Sequence, residues 1–266
     1  MNSLGLEFYT GNKDGSFKEV PFLSDRKDLS YEDVSKLCYN LPRGWYELSR
    51  VCPKDRVDFT RDFWLDRLPY HPRAHPIFFE FFERLDDVAV ILTKKMEDEP
   101  MDAELIYSLA DNSSFFRGLP SCADTDIQEL HGEIKSSLPR DYLSFLRIHN
   151  GFGKLSEMGV LEIQELADAK RRVLELLLKA DKHIQIQGHD VDPGSLVPFF
   201  EALGLSSFQC FYTDWYPGSE MGNVYVSGID FSISELSDKK AWAENLAFPS
   251  FSEWLAYYLQ GMNLCT

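Results

Sequence analysis

Apolar positions recur along this chain with two periods, near two and near 3.6 residues, and the switches between them mark its elements. Residues 6–9 and 17–20 are short apolar-polar runs flanking residues 11–15, a Gly, Asn, Lys and Asp loop that tolerates positive φ, so the pattern predicts an opening β-hairpin. Ser30 precedes a helical pattern with Val34, Leu37 and Cys38 on one side, ended by Pro42 and Gly44. A second helix is predicted over 58–68, with Phe59, Phe63 and Trp64 as its apolar face and Pro69 as its stop. Phe78, Phe79, Phe81 and Phe82 crowd the next helical stretch, which leads into the β-branched run 88–93 of a buried strand. Residues 105–109 are predicted to return antiparallel beside it, and the Ser-, Gly- and Pro-bearing residues 111–125 to serve as a connector.

Beyond the connector, helices are predicted over 126–136 and after Pro139, the second carrying Tyr142, Phe145, Leu146 and His149, with Asn150-Gly151 as its C-terminal cap. Residues 160–163 suggest a short strand, and Ile163, Leu166, Val173, Leu174, Leu177 and Leu178 continue an amphipathic helix to residue 180. Three extended runs at 196–200, 208–212 and 223–226 then predict an antiparallel meander. Ser250 and Glu253 form an S-x-x-E start ahead of Phe251, Trp254, Leu255, Tyr258, Leu259 and Met262, the most regular helical spacing in the chain.

Composition narrows the function. With 44% hydrophobic residues the chain has ample material for a core, and 27 Lys and Arg against 43 Asp and Glu give a net charge of −16, which repels phosphate backbones and excludes nucleic acid as a partner class. An acidic surface suits a basic protein partner instead. Five scattered cysteines without a C-x-x-C pair, no basic-then-apolar start and no membrane-length apolar run together predict a cytoplasmic protein that does not enter the membrane.

The candidate chemistry is sparse. His71 and His75 have helical metal spacing, but Pro72 and Pro76 interrupt the helix that would align them. His149 lies near a helix C-terminus, where the dipole favours an imidazolium, and is assigned capping or packing. The segment from Asp190 to Glu201 has a calcium-loop outline, yet Gly194 replaces a ligand and Ser195 the turn glycine. Gly151-Phe152-Gly153-Lys154 lacks the earlier Gly and following Ser or Thr of a phosphate loop, and no hydrolase elbow or H-E-x-x-H occurs. No catalytic residue, metal ligand or cofactor is assigned. Asp214, Trp215, Tyr216 and Glu220 form instead a turn-rich segment in which large stiff rings sit between carboxylates, the composition of a protein-contacting loop, and acidic Asp190 and Asp192 join it as candidate partner-binding residues.

The run Leu138-Pro139-Arg140-Asp141-Tyr142-Leu143-Ser144-Phe145-Leu146, followed by Asn150-Gly151, resembles the Leu-Pro-x-x-Tyr-x-x-Phe-Leu…Asn-Gly signature of the SUKH superfamily, which includes fungal cell-wall regulators of the Smi and Knr type and toxin-immunity proteins. The runs at 196–200, 208–214 and 223–227 and the ending 248–255 follow in the family's order, so the resemblance covers about 124–262. Phe152, where many members have Gly, and an apparent insertion over 167–182 depart from it. The resemblance implies an α+β fold, an antiparallel sheet with helices packed around it, and a role in binding proteins. The expected organisation is an α+β N-terminal region over 1–123 and a SUKH-like domain over 124–266. The expected function is a non-enzymatic binding module or adaptor, immunity-like or regulatory. A hydrolase-type enzyme with a pocket between the two halves, and a self-assembling subunit using an aromatic patch at 78–82, are the alternatives.

Overall fold

The computed structural model describes residues 7–9, 17, 19–96, 98–111, 113–134, 138–154, 159–180, 185–186, 189–190, 192–202, 207–214, 222–226, 231–232 and 248–261. A 3-10 turn at Leu23–Asp25 precedes four helices: α1 (Tyr31–Leu37), α2 (Arg43–Leu48), α3 (Pro53–Arg67) and α4 (Ala74–Glu83). Strands β1 (Leu85–Thr93), β2 (Asp102–Leu109) and β3 (Phe115–Gly118) follow, then helices α5 (Asp124–Ile134) and α6 (Arg140–Leu146). Strands β4 (Phe152–Lys154) and β5 (Gly159–Val160) precede α7 (Leu166–Ala180) and the small pair β6 (Gln185–Ile186) and β7 (His189–Asp190). The meander β8 (Leu196–Ala202), β9 (Ser207–Tyr212), β10 (Gly222–Val226) and β11 (Phe231–Ser232) leads to the last helix, α8 (Phe251–Leu259).

Among the described residues, nine strands form one antiparallel sheet in the order β1-β2-β3-β4-β5-β8-β9-β10-β11. The fold is therefore α+β. Because β3 pairs with β4, the sheet runs without interruption past residue 123, and one core holds residues from Leu23 to Leu259. The apolar run in β1 is continuous because both faces of the sheet are covered there. Val88, Val90 and Leu92 face the main core with Leu105 and Tyr107 of β2, while Ile91, Ile106 and Phe115 point the other way beneath Tyr9.

That second cover corrects the predicted opening hairpin. Residues 7–9 are helical, Phe22 bridges to Ile91 of β1, and Glu19 bridges to Lys94 immediately after that strand. Short aromatic runs can cover a sheet as a helical turn as readily as a strand, so their period was ambiguous. Residues 11–15 lie outside the described residues.

Other departures are local. Pro42 does not end a helix: it is the N-cap of α2, with Gly44 inside that helix. The connector contains β3, where Phe115 and Phe116 turn to opposite faces. In α3 the buried positions are Arg56, Val57, Thr60 and Trp64, leaving Phe59 and Phe63 exposed at 61% and 42%. A salt bridge rotates the helix this way, since Arg56 reaches Asp87 of β1 through two 2.8 Å hydrogen bonds and donates a third to the Val51 carbonyl.

Trp64 is the centre of the main core. Its ring meets Phe82, Phe145 and Phe152 at 5.5 Å and Tyr107 at 5.8 Å, joining residues that lie far apart in sequence. Phe78, Phe81 and Phe82 are buried with it, and of the aromatic patch expected at 78–82 Phe79 alone is exposed. At the C-terminal end, α8 packs against α4 and α6. Its Ser250 cap accepts a hydrogen bond from the Glu253 N–H at 3.2 Å, as the S-x-x-E spacing predicts.

Candidate functional site

The loop from β7 to β8 and the end of β9 meet at one edge of the meander. Leu196 pairs with Tyr212, and Thr213 donates both its N–H and its hydroxyl to the Ser195 carbonyl, at 2.9 and 2.8 Å. Asp192 caps the short turn Pro193–Ser195 by accepting from the Gly194 N–H at 2.9 Å, and the Ser195 hydroxyl donates to the exposed Asp214 carboxylate. Burial, then Asp214 and Asp192, raise the pKa of Tyr212, so both carboxylates act on one phenol. The fold thus brings Asp192 and Asp214 to the same edge across 22 positions of sequence. Asp190 ends β7. Trp215, Tyr216 and Glu220 lie outside the described residues.

The Asn150-Gly151 pair has a different task from the helix cap expected of it. Helix α6 ends at Leu146, and Asn150 latches the following chain instead. Its Oδ1 accepts from the Ile163 N–H at 2.8 Å and its Nδ2 donates to Gln164 at 3.0 Å. Gly151 has a φ of +102°, the left-handed turn that swings β4 into the sheet.

His149 takes the packing role of the two expected for it, not the capping one. It is buried, not placed as a cation at a helix end: its Nδ1 lies 2.8 Å from the Leu119 carbonyl and its Nε2 2.6 Å from the Tyr107 hydroxyl. The Leu119 carbonyl can only accept, so Nδ1 carries the proton and Nε2 accepts from Tyr107, which itself accepts from the Trp64 indole at 3.1 Å. Burial pushes the imidazole pKa down to about 4, against the smaller upward pull of the Leu119 carbonyl, and keeps the ring neutral. Position 118 is glycine for a steric reason, because an added Cβ would stand 2.4 Å from the His149 ring.

Beside this relay lies a cavity of about 380 Å³ between α2, α3 and β2, lined by Trp45, Phe59, Phe63, Trp64, Tyr107 and His149 among others. Sequence reasoning missed it, because Phe59 and Phe63 have ordinary core spacing and Gly44 was read as a helix stop. A second, polar cavity of about 470 Å³ is lined by Asp102, Glu104, Glu162, Lys95 and Arg117 among others. There Tyr9 donates to Glu104 at 2.5 Å, and Arg117 stands 3.7 Å from the same oxygen. Burial, then Glu165, raises the pKa of Glu162.

His71 and His75 do not converge on a metal geometry. The His71 N–H donates to Nδ1 of His75 at 3.1 Å, while His71 Nε2 faces Glu253 at 3.2 Å. Among the described residues no three His, Cys, Asp or Glu side chains gather as a metal site, and no helix is long and apolar enough to cross a membrane.

No curated protein and no solved structure matches the chain. A protein-family match does exist, over residues 121–257, and it spans strands β4 to β11 together with α5, α6, α7 and most of α8. The matched stretch is more than half of the 266 residues and includes the Leu138 to Gly151 motif whose packing is described above; the chain belongs to the SMI1 / KNR4 family (SUKH-1).

Proposed function

We propose that this protein is a binding module or adaptor, immunity-like or regulatory, that engages a basic protein partner in the reducing cytoplasm. The family membership supports a protein-binding role, and the observation that carries the finer reading is the pair Asp192 and Asp214 at one edge of the meander. A net charge of −16 adds a long-range field that speeds encounter with a cationic surface. In this reading Trp215 and Tyr216 supply the apolar anchor, and Asp190 and Glu220 extend the acidic rim.

Alanine at Asp214, Trp215 and Tyr216 tests the assignment: partner affinity falls at least about tenfold while thermal stability holds. Unchanged affinity in the triple variant removes this loop from the interface. A second reading, a hydrolase-type site, draws on the polar cavity, where Glu104 and Glu162 stand on the N-terminal and family-matched sides of the chain. It predicts an activity lost in Glu162→Gln, measurable by screening the purified protein on ester and glycoside substrates.

A further inference from the structure

We infer that the cavity between α2, α3 and β2 is a binding site for a small planar aromatic ligand carrying a carboxylate. Its volume, about 380 Å³, lies within the range of small-molecule pockets and accommodates one or two fused rings. The walls are ring faces and edges: Trp45 and Trp64 stand 6.0 and 5.9 Å from the His149 ring, and Phe59 and Phe63 complete the enclosure from α3. Such walls favour a flat π-system over a branched aliphatic group.

Charge selects the acid. Although the chain carries 43 Asp and Glu, the one formally charged residue among the described lining residues is Arg147, with His149 held neutral beside it. Arg147 is fixed by hydrogen bonds from Nε to Asp124 at 3.0 Å and from Nη1 to the Leu143 carbonyl at 3.3 Å. Its ion pair with Asp124 is exposed on both sides, the kind of pair that contributes little and that a ligand carboxylate can replace. Phe59 and Phe63, the two exposed rings one helical turn apart that Arg56 turns outward, would be covered by a ligand in this cavity. Trp45, Phe59 and Phe63 precede residue 121 whereas Arg147 and His149 lie within the family-matched stretch, so the site is built where the N-terminal helices meet that stretch. It is independent of the protein-binding reading.

Isothermal titration of the full chain with 2-naphthoate, and with its neutral counterpart 2-naphthamide, tests the inference. Saturable one-to-one binding of naphthoate is expected, weakened about tenfold by Arg147→Gln while naphthamide is unaffected. Phe59→Ala and Phe63→Ala should weaken both probes. Gly44→Leu provides a variant that does not risk the fold: position 44 lines the cavity, no atom lies within 4 Å of an added Cβ, and leucine favours the helix. It should abolish binding while raising the melting temperature. Absence of saturable naphthoate binding up to millimolar concentration, or binding untouched by Gly44→Leu, overturns the site; equal affinity for the amide and the acid overturns the role of Arg147.

Discussion

His149 and Gly118 show how much a single position can depend on one far away. Alanine at 118 must displace the imidazole, whose ring atoms lie 2.4 Å from the new methyl, and with it the Tyr107 and Leu119 hydrogen bonds. Gly118→Ala should therefore cost about 2–3 kcal/mol in urea denaturation, an overpacking penalty in a site with no slack. The histidine also sets a pH dependence. Its folded pKa of about 4 lies below the ordinary 6.5, so the unfolded chain binds the extra proton first. This contribution is complete above pH 6.5 and is lost as pH falls towards 4, roughly 3 kcal/mol in all. Stability curves of wild type and His149→Gln should converge over that window; parallel curves would show that the ring is not held neutral. None of this was legible in the sequence, which placed His149 near a helix end but could not reveal a Tyr107 partner 42 positions away.

At the scale of elements, periodicity was informative wherever a helix or strand buried one clean face. The last helix follows its predicted register, with Phe251, Trp254, Leu255, Tyr258 and Leu259 all buried. Removing its cap with Ser250→Ala should cost on the order of 1 kcal/mol by thermal melting. Helix α3 misled the pattern because an arginine took a core position and pushed two phenylalanines outward. The Arg56–Asp87 pair, with side chains 8% and 13% exposed, should reveal itself in a double-mutant cycle. Asp87→Ala alone should destabilise by about 3 kcal/mol by stranding the guanidinium, whereas Arg56→Met with Asp87→Leu should recover most of that loss. A β3 only four residues long, within Ser-, Gly- and Pro-bearing chain, left too little alternation to separate it from a connector.

The whole molecule joins its N-terminal helices and strands β1 to β3 to the family-matched strands in one sheet, with a shared core around Trp64. The α+β class, the meander and the SUKH resemblance were all legible, because each rests on local runs whose order along the chain is itself the signal. The shared sheet was not, since strand pairing from β3 to β4 joins segments separated by two helices. The function proposed at this scale rests on the acidic edge and a basic partner. The most direct measurement is capture of partners by the tagged full chain, at low and moderate salt, beside an Asp192→Asn, Asp214→Asn variant. A stoichiometric basic protein that is released as salt rises and fails to bind the variant is the predicted result. A specific partner that binds the variant equally well and is indifferent to salt would contradict the account.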